Sequence, residues 1–324
     1  MALIDEMTWL GSPARQLRGR LQRGQAPQAQ LIHGLRGTGR RHFALWSAAQ
    51  ILGMDWEPSA DSEAEALPLV PHPDFFFVGM EPDRNSLGIE QLRKLIANLE
   101  LTSHRGARKV AVIYPAERML RNAANCLLKT LEEPPGATTI LLVCESPARM
   151  PATIVSRCER IRLVPPAWSA GLAWLRTAHP QGSGAEAALE FASRAPLAAR
   201  TLLREEFAEQ TAILAADLGK IVQREVPPGT IARRWAKLDS SLCIRWLYWQ
   251  VAALMREGMN VSEPGAMALK PHLKISRTHM NMTACCEYLD QLNEAHRLQD
   301  HSLNKEIQWT ELLMWWYGAV GYAR

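Results

Sequence analysis

A glycine-rich segment near the amino terminus has the residue types and the spacing to bind phosphate. Residues 34–41 read GLRGTGRR: Gly34 and Gly39 match the pattern GxxxxGK[ST], and Gly37 adds a third glycine. In that pattern backbone N–H groups cradle the phosphates of a nucleotide. The segment lies between an apolar run and a helical pattern, which favours a phosphate loop over an ordinary strand-to-helix turn.

The two positions that carry the chemistry of such a loop are Arg40 and Arg41. A working loop has a lysine, whose ammonium reaches the outer phosphates, and then a hydroxyl residue that coordinates magnesium. Arg40 keeps the positive charge, but a planar guanidinium is larger than an ammonium and is not interchangeable with it. Because Arg41 supplies no hydroxyl, the sequence predicts a degenerate nucleotide site.

A second set of residues needed for hydrolysis is replaced at the end of the predicted strand 109–113. ATP-hydrolysing proteins with this motif carry an aspartate for magnesium there, beside a glutamate that positions the attacking water. Tyr114 and Pro115 occupy these positions, and Glu117 follows them too late to be the expected metal ligand. These replacements predict that the chain hydrolyses no ATP and holds no metal.

Strands and helices alternate around these positions. Short apolar runs typical of buried strands cover 30–33, 75–78, 109–113, 139–143 and 160–164. Helical patterns cover about 40–52, 88–101 and 122–133. This alternation predicts an α/β fold with a parallel sheet and helices on both of its faces.

Two changes of pattern predict three domains. The pair Pro165-Pro166 ends the alternating region, so a first domain is expected at 1–165. A small helical unit is expected at 166–205, and a longer, all-helical region at 206–324. Within the first domain, the acidic and proline-rich segment 53–73 predicts an exposed loop.

Most of the eleven tryptophans lie in the last helical region. They include Trp235, Trp246, Trp249, Trp309, Trp315 and Trp316. Aromatic side chains on helices could form a platform for nucleic acid, but at helical spacing they belong more often to a core or a subunit interface. We therefore expect these tryptophans in a core or an interface.

A specific resemblance covers about forty residues after Glu117. The sequence NAANCLLKTLEEPPGATTILLVCESPARMPATIVSRCERI, which begins at Asn122, resembles the most characteristic stretch of bacterial clamp-loader subunits. Weaker similarity at QLIHGLRGTGR, at HPD (72–74) and at LNKEIQWTELLMWW (303–316) extends the resemblance to most of the chain. Members of this family are subunits of DNA polymerase III.

The family contains ATP-hydrolysing subunits of the gamma/tau type and non-hydrolysing subunits of the delta-prime type. Loss of the loop lysine and of the acidic pair, with Ser156-Arg157-Cys158 retained, resembles the delta-prime type. The resemblance implies a RecA-like AAA+ domain, a small helical lid and a helical collar. It also implies a ring of five with gamma/tau and delta subunits, which loads the sliding clamp onto primer-template DNA.

Arg157 is the one residue to which the resemblance gives a catalytic role. In the family, the arginine of the SRC triplet projects into the ATP site of a neighbouring gamma subunit as an arginine finger. A guanidinium from another chain stabilises the charge that develops on the transferred phosphoryl group. The alternative is an arginine in a surface ion pair. Ser156 and Cys158 are expected to shape the turn, with Cys158 as a packing residue rather than a reactive thiol.

Departures from the family weaken nucleotide and zinc binding further. Many relatives carry a four-cysteine zinc module after the first helix, but 53–73 contains no cysteine. Cys144-Glu145 stands where hydrolysing relatives place a polar nucleotide sensor, and Ala198 stands where they place the arginine of the second sensor. The sequence therefore predicts neither a cofactor nor a metal.

Composition limits the setting of the chain. Six cysteines are scattered without a CxxC pair, which argues against a disulfide framework or zinc ribbon and fits a reducing, cytoplasmic setting. No secretory signal and no apolar run of about 20 residues is evident, so no membrane segment is expected. A net charge of +4 permits a nucleic-acid partner without predicting one.

Two other functions compete with that of a non-hydrolysing subunit. A clamp-loader-like ATPase could still bind nucleotide through Arg40, in which case the isolated chain would bind ATP. An independent DNA-binding module would place positive charge and helix N-termini on phosphates. It would show steeply salt-dependent binding of DNA by the isolated protein.

Overall fold

The computed structural model describes residues 3–59, 69–82, 84–103, 108–179, 184–204, 207–259, 281–298 and 304–319. The chain divides into two compact units. The first contains residues 1–181 and 192–201, and the second contains residues 182–191 and 202–324. The three-domain division at 165 and 205 stays a prediction.

A five-stranded parallel sheet forms the centre of the first unit. Its strands are β1 Ala29–Gly34, β2 Phe75–Val78, β3 Lys109–Ile113, β4 Thr138–Cys144 and β5 Glu159–Leu163. The strand order is β2-β3-β4-β1-β5, and all four pairings are parallel. The expected α/β fold is confirmed, and each predicted strand agrees with the observed one to within a residue at either end. Every residue of β3 and β4 is buried, which explains why both strands are continuous apolar runs.

Helices accompany the sheet in the first unit. They are α1 Leu3–Glu6, α2 Gly11–Gln22, α3 Arg40–Ile51, α4 Ile89–Glu100, α5 Arg121–Glu132, α6 Ala152–Val155 and α7 Trp168–Ala178. Alternate strand residues point to opposite faces, so the sheet has two cores. Ile32, Val112 and Val143 pack in a cluster with α2 and α3. Leu31, Ile113 and Leu142 pack in a second cluster with α4, α5 and α6.

Local signals explain where two of the predicted helices begin and end. Gly88 precedes α4, and the Gln91 side chain accepts a hydrogen bond from the Gly88 N–H at 2.9 Å. That contact satisfies a donor that a helix start leaves open. Helix α5 ends at Glu132 because Pro134 has no N–H to donate and disfavours helical geometry in Glu133.

Helices make up the rest of the described chain. They are α8 Ala185–Phe191, α9 Pro196–Arg204, α10 Phe207–Val222, α11 Pro228–Trp235, α12 Ser240–Gly258, α13 Met282–Arg297 and α14 Lys305–Ala319. Helix α9 begins in the first unit and continues into the second. No strand occurs among the described residues after β5. Within those residues, no helix is long and apolar enough to cross a membrane.

The tryptophans of the second unit form its core. The Trp235 ring makes edge contacts with Trp246 and Trp309, at centroid distances of 6.3 and 5.4 Å. The indole N–H of Trp235 donates to Asp217 at 3.0 Å, so its polar atom is satisfied inside the core. All three tryptophans are almost completely buried, which supports the core interpretation over a nucleic-acid platform.

Candidate functional site

The residues that the sequence assigned to a nucleotide site meet at the carboxyl edge of the sheet. Strands β1, β3 and β4 are neighbours and parallel, so the glycine-rich loop, Tyr114 and Cys144-Glu145 follow them at the same edge. The Gly34 N–H donates to the Glu145 carbonyl at 3.3 Å. The Glu145 N–H donates to the Glu117 carboxylate at 2.9 Å. Glu117 therefore ties the ends of β3 and β4 together.

The glycine-rich loop is packed closely on both sides. Gly34 has a φ of 151°, and a Cβ atom there would lie 2.2 Å from the Leu163 carbonyl oxygen. Gly37 has a φ of 84°, and a Cβ atom there would lie 2.4 Å from the Ala198 Cβ. The Leu197 N–H donates to the Gly37 carbonyl at 3.1 Å. The first turn of α9 thus lies directly against the loop.

Ala198 explains how α9 can approach so closely. Its position is where hydrolysing relatives are expected to carry a sensor arginine, and its small side chain lies beside Gly37, which itself has no Cβ atom. The close approach of α9 to the loop thus involves two positions without a long side chain, Gly37 and Ala198.

Arg41 and Tyr114, which the sequence places at the two positions expected to hold magnesium ligands, contact each other. The Arg41 guanidinium carbon lies 5.5 Å from the centre of the Tyr114 ring and 5.0 Å from that of Phe77. The Arg41 side chain is buried, with 8% of its surface exposed. Cation–π contact with two rings favours a buried guanidinium, especially where water is excluded. The Arg41 guanidinium therefore packs between α3 and β3 against two aromatic rings.

Arg40 is buried in a different environment. It is 7% exposed, and its Nη1 atom makes no hydrogen bond to any described residue. Its positive charge reaches His33, whose pKa is lowered first by burial and then by Arg162, Arg160 and Arg40. An anion could therefore accept a hydrogen bond from the Arg40 Nη1 group, whereas a fully paired structural arginine has no such donor left.

Arg157 lies on the exposed turn between α6 and β5. Its Nε donates to Glu132 Oε1 at 2.6 Å, and its Nη2 forms an ion pair with the same oxygen. Its Nη1 donates to the Thr153 carbonyl at 2.9 Å. About a third of the side chain is exposed, so the guanidinium is accessible to another chain while it is paired within its own.

The cysteines beside these positions are poor nucleophiles. Burial raises the pKa of Cys158 to about 11. Burial, followed by the charge of Glu117, raises the pKa of Cys144 to about 12. A thiol with a raised pKa is protonated at neutral pH, and the thiolate is the reactive form. These environments support the packing role expected for Cys158.

We expect alkylation to distinguish these cysteines from the exposed Cys286. At pH 8 a thiol of pKa 11 is about one part in a thousand thiolate, so iodoacetamide should label Cys286 at least tenfold faster than Cys158 or Cys144. Peptide mass spectrometry over a time course measures the rates. Cys286→Ser should remove the fast phase alone, and equal labelling of Cys158 and Cys286 would contradict the packing role.

The structure brings the loop, Tyr114 and Cys144-Glu145 together and places Arg157 on a separate turn. Sequence reasoning missed three partners: Phe77 against Arg41, Ala198 against Gly37, and Glu132 against Arg157. Of these three, only Ala198 could be noticed in the sequence, because it stands where hydrolysing relatives are expected to carry the arginine of the second sensor. Among the described residues, no cluster of three or more His, Cys, Asp or Glu side chains could hold a metal ion.

The sheet order and the glycine-rich loop after the first strand are those expected of an AAA+ domain. A sequence profile described as "DNA polymerase III, delta subunit" matches residues 11–167. "DNA polymerase III subunit delta'" of Pseudomonas aeruginosa is 32% identical over 81% of this chain and 81% of that protein. The chain belongs to this delta' family of DNA polymerase III subunits.

Two further comparisons extend over nearly the whole chain. "DNA polymerase III subunit delta'" of Escherichia coli K12 is 28% identical over 94% of this chain and 93% of that protein. A crystal structure of a gamma subunit-related DNA polymerase III protein from Thermotoga maritima has a TM-score of 0.48 and 17% identity. It covers 94% of this chain and 99% of its own.

Proposed function

We propose that this chain is the non-hydrolysing delta' subunit of the DNA polymerase III clamp loader. In this role it joins gamma/tau and delta subunits in a five-membered ring that loads the sliding clamp onto primed DNA. It supplies Arg157 to the ATP site of a neighbouring gamma/tau subunit. Membership of the delta' family supports the assignment to DNA polymerase III.

The observation that carries the non-hydrolysing part of the proposal is the contact between Arg41 and Tyr114. A nucleotide with magnesium needs a hydroxyl and a carboxylate at these positions, and the chain has a cation stacked on an aromatic ring. The first turn of α9 also lies against the loop at Gly37, which supports the non-binding function. The residues present do not fit magnesium–ATP, so we derive no hydrolytic step within this chain.

The role of Arg157 in another chain rests on the resemblance of Ser156-Arg157-Cys158 to the family's SRC triplet, and the exposed position of Arg157 supports it. An arginine finger has to stand on the surface, on a rigid support, with its guanidinium able to reach a second protein. Arg157 is on a turn whose preceding residues, Ile154 and Val155, are buried in the sheet core. Substitution of Arg157 in the assembled ring is the test of this role.

Arg40 favours a second candidate, in which the chain retains nucleotide binding without hydrolysis. The support is its buried Nη1 donor, which makes no hydrogen bond to any described residue. A phosphate oxygen is a suitable acceptor for such a donor. The packing at Gly37 counts against a full nucleotide, so we propose the non-binding function first.

We expect no ATP binding by the isolated chain at nucleotide concentrations up to the millimolar range. Titration with a fluorescent ATP analogue, with and without magnesium, measures it, and a gamma subunit serves as positive control. Saturable binding that disappears in Arg40→Ala would establish the second candidate instead. Binding that survives Arg40→Ala would contradict both, because the second candidate assigns the phosphate contact to Arg40.

The three-domain division into AAA+ domain, lid and collar stays part of the proposal, as does a cytoplasmic setting. The independent DNA-binding module is the least supported function. The tryptophans that could have formed a base-stacking platform are used in a core. We expect DNA contacts to develop in the assembled ring, where several subunits contribute positive charge.

A further inference from the structure

Glu132 and Arg157 form a contact that no known role of the chain requires. Glu132 is the last residue of α5, and Arg157 follows α6 in the turn before β5. One carboxylate oxygen, Oε1, accepts from Nε at 2.6 Å and also pairs with Nη2. The two residues come from segments 25 positions apart in the sequence, so helix geometry alone does not bring them together.

The contact rests on a fixed backbone. Leu131, beside Glu132, and Ile154 and Val155, just before the turn, are buried in the same apolar cluster. That cluster holds the end of α5 against α6. The distance between the two side chains is therefore set by the core, although both of their ends are exposed to solvent.

The contact uses the donors that a phosphate would need. Arginine recognises phosphate through two parallel N–H groups, of which Nε and Nη2 form one pair. Glu132 takes this pair, and Nη1 donates to the Thr153 carbonyl at 2.9 Å and lies 3.5 Å from Ser156 Oγ. All three nitrogens thus have partners in their own chain. In this arrangement the Nε–Nη2 fork of Arg157 is taken within its own chain.

We propose that Glu132 is a positioning residue that holds Arg157 in its own chain and competes with the partner subunit's phosphate for the guanidinium. The inference rests on the proposed function of Arg157 as a finger. Arg157 offers its Nε–Nη2 fork to the partner only when the Glu132 contact opens. Glu132 thereby lowers the rate of ATP hydrolysis in the absence of clamp and DNA, because it keeps Arg157 away from the ATP of the partner subunit for part of the time.

The solvent exposure of the Arg157–Glu132 pair sets the expected size of its effect on Arg157. The Arg157 side chain is 34% exposed and the Glu132 side chain 49%, so water and salt screen the pair. Pairs of this kind shift an equilibrium by about two- to fivefold, the range for exposed ion pairs. Glu132 therefore modulates the finger by a few-fold, and a large switch is not expected.

The isolated chain provides a test that does not depend on the finger role. Modification of Arg157 by phenylglyoxal, followed by peptide mass spectrometry, measures how accessible the guanidinium is. We expect Glu132→Gln to speed modification of Arg157 about two- to fivefold. Glu133→Gln is the matched control, because Glu133 is the adjacent, exposed glutamate and should leave the rate unchanged.

The assembled loader tests the consequence. With Glu132→Gln, we expect ATP turnover without clamp and DNA to rise about two- to fivefold, while stimulated turnover and the KM for ATP stay near wild type. The ratio of stimulated to unstimulated turnover therefore falls. A general loss of structure would lower both rates. Glu132→Asp keeps the charge with a shorter reach and should lie between Gln and wild type.

The outcomes separate the two hypotheses. If Arg157→Ala leaves turnover unchanged in an assembled ring, the finger role fails, and the Glu132 inference fails with it. If Arg157→Ala lowers turnover but Glu132→Gln matches Glu133→Gln in both assays, only the Glu132 inference is overturned. If Glu132→Gln raises unstimulated turnover even in the Arg157→Ala background, Glu132 acts by another route and the inference is again overturned.

Discussion

Replacing Arg157 by alanine in the assembled clamp loader should lower ATP hydrolysis about 10³-fold at the one site that receives its guanidinium. The reason is that no other group replaces the positive charge that the finger brings to the transferred phosphoryl group. The total ATPase rate of the loader should fall by the fraction that this one site contributes, and the rate of clamp loading should fall as well. Steady-state ATPase and loading assays, each stimulated by clamp and primed DNA, measure the two effects.

Three comparisons make this result specific. Arg84→Ala removes another exposed arginine with its own ion pair, to Glu81, and should leave turnover within about twofold of wild type. Arg157→Lys retains the charge without the planar fork and should recover only part of the activity. Assembly has to be checked by gel filtration. Wild-type turnover by a fully assembled Arg157→Ala ring would show that the chain is at most a passive scaffold.

The sheet could be predicted from sequence because its signals are local. β3 and β4 are buried on both faces, so each is a continuous apolar run that needs no partner to be recognised. The proline pair after Glu133 and the glycine before Ile89 mark helix ends in the same way. The end of β3 then located Tyr114, and the turn into α3 located the loop, because both follow their elements directly.

The side-chain contacts between distant segments of the chain could not be predicted from local signals. Arg41 and Tyr114 are far apart in the sequence, and each looks like an isolated loss of a ligand. Only the neighbouring positions of α3 and β3 in the fold turn these two losses into one stacked pair. The same holds for Glu132, whose exposed carboxylate resembles any solvated residue at a helix end until α6 brings Arg157 to it.

Gly37→Ala should destabilise the first unit by about 2–4 kcal/mol, through backbone strain and overpacking together. Gly37 has a φ of 84°, which disfavours any residue with a Cβ. That Cβ would also lie 2.4 Å from the Ala198 Cβ and 2.5 Å from the Ala198 N, so the first turn of α9 would have to move. Hydrogen exchange of the β1 and α3 amides reports the stability of this unit without assuming that the whole chain unfolds at once.

The variant Gly136→Ala distinguishes the cost of backbone strain from the cost of overpacking in Gly37→Ala. Gly136 also has a positive φ, 61°, but nothing lies within 4 Å of the position of its Cβ, so its substitution should cost only about 1–2 kcal/mol. The difference between the two variants is the contribution of α9 packed on the loop. If the two variants were destabilised equally, α9 would move away from the loop at little cost in free energy. The loop could then open to a nucleotide. A larger loss of stability in Gly37→Ala than in Gly136→Ala would support a loop that α9 holds closed.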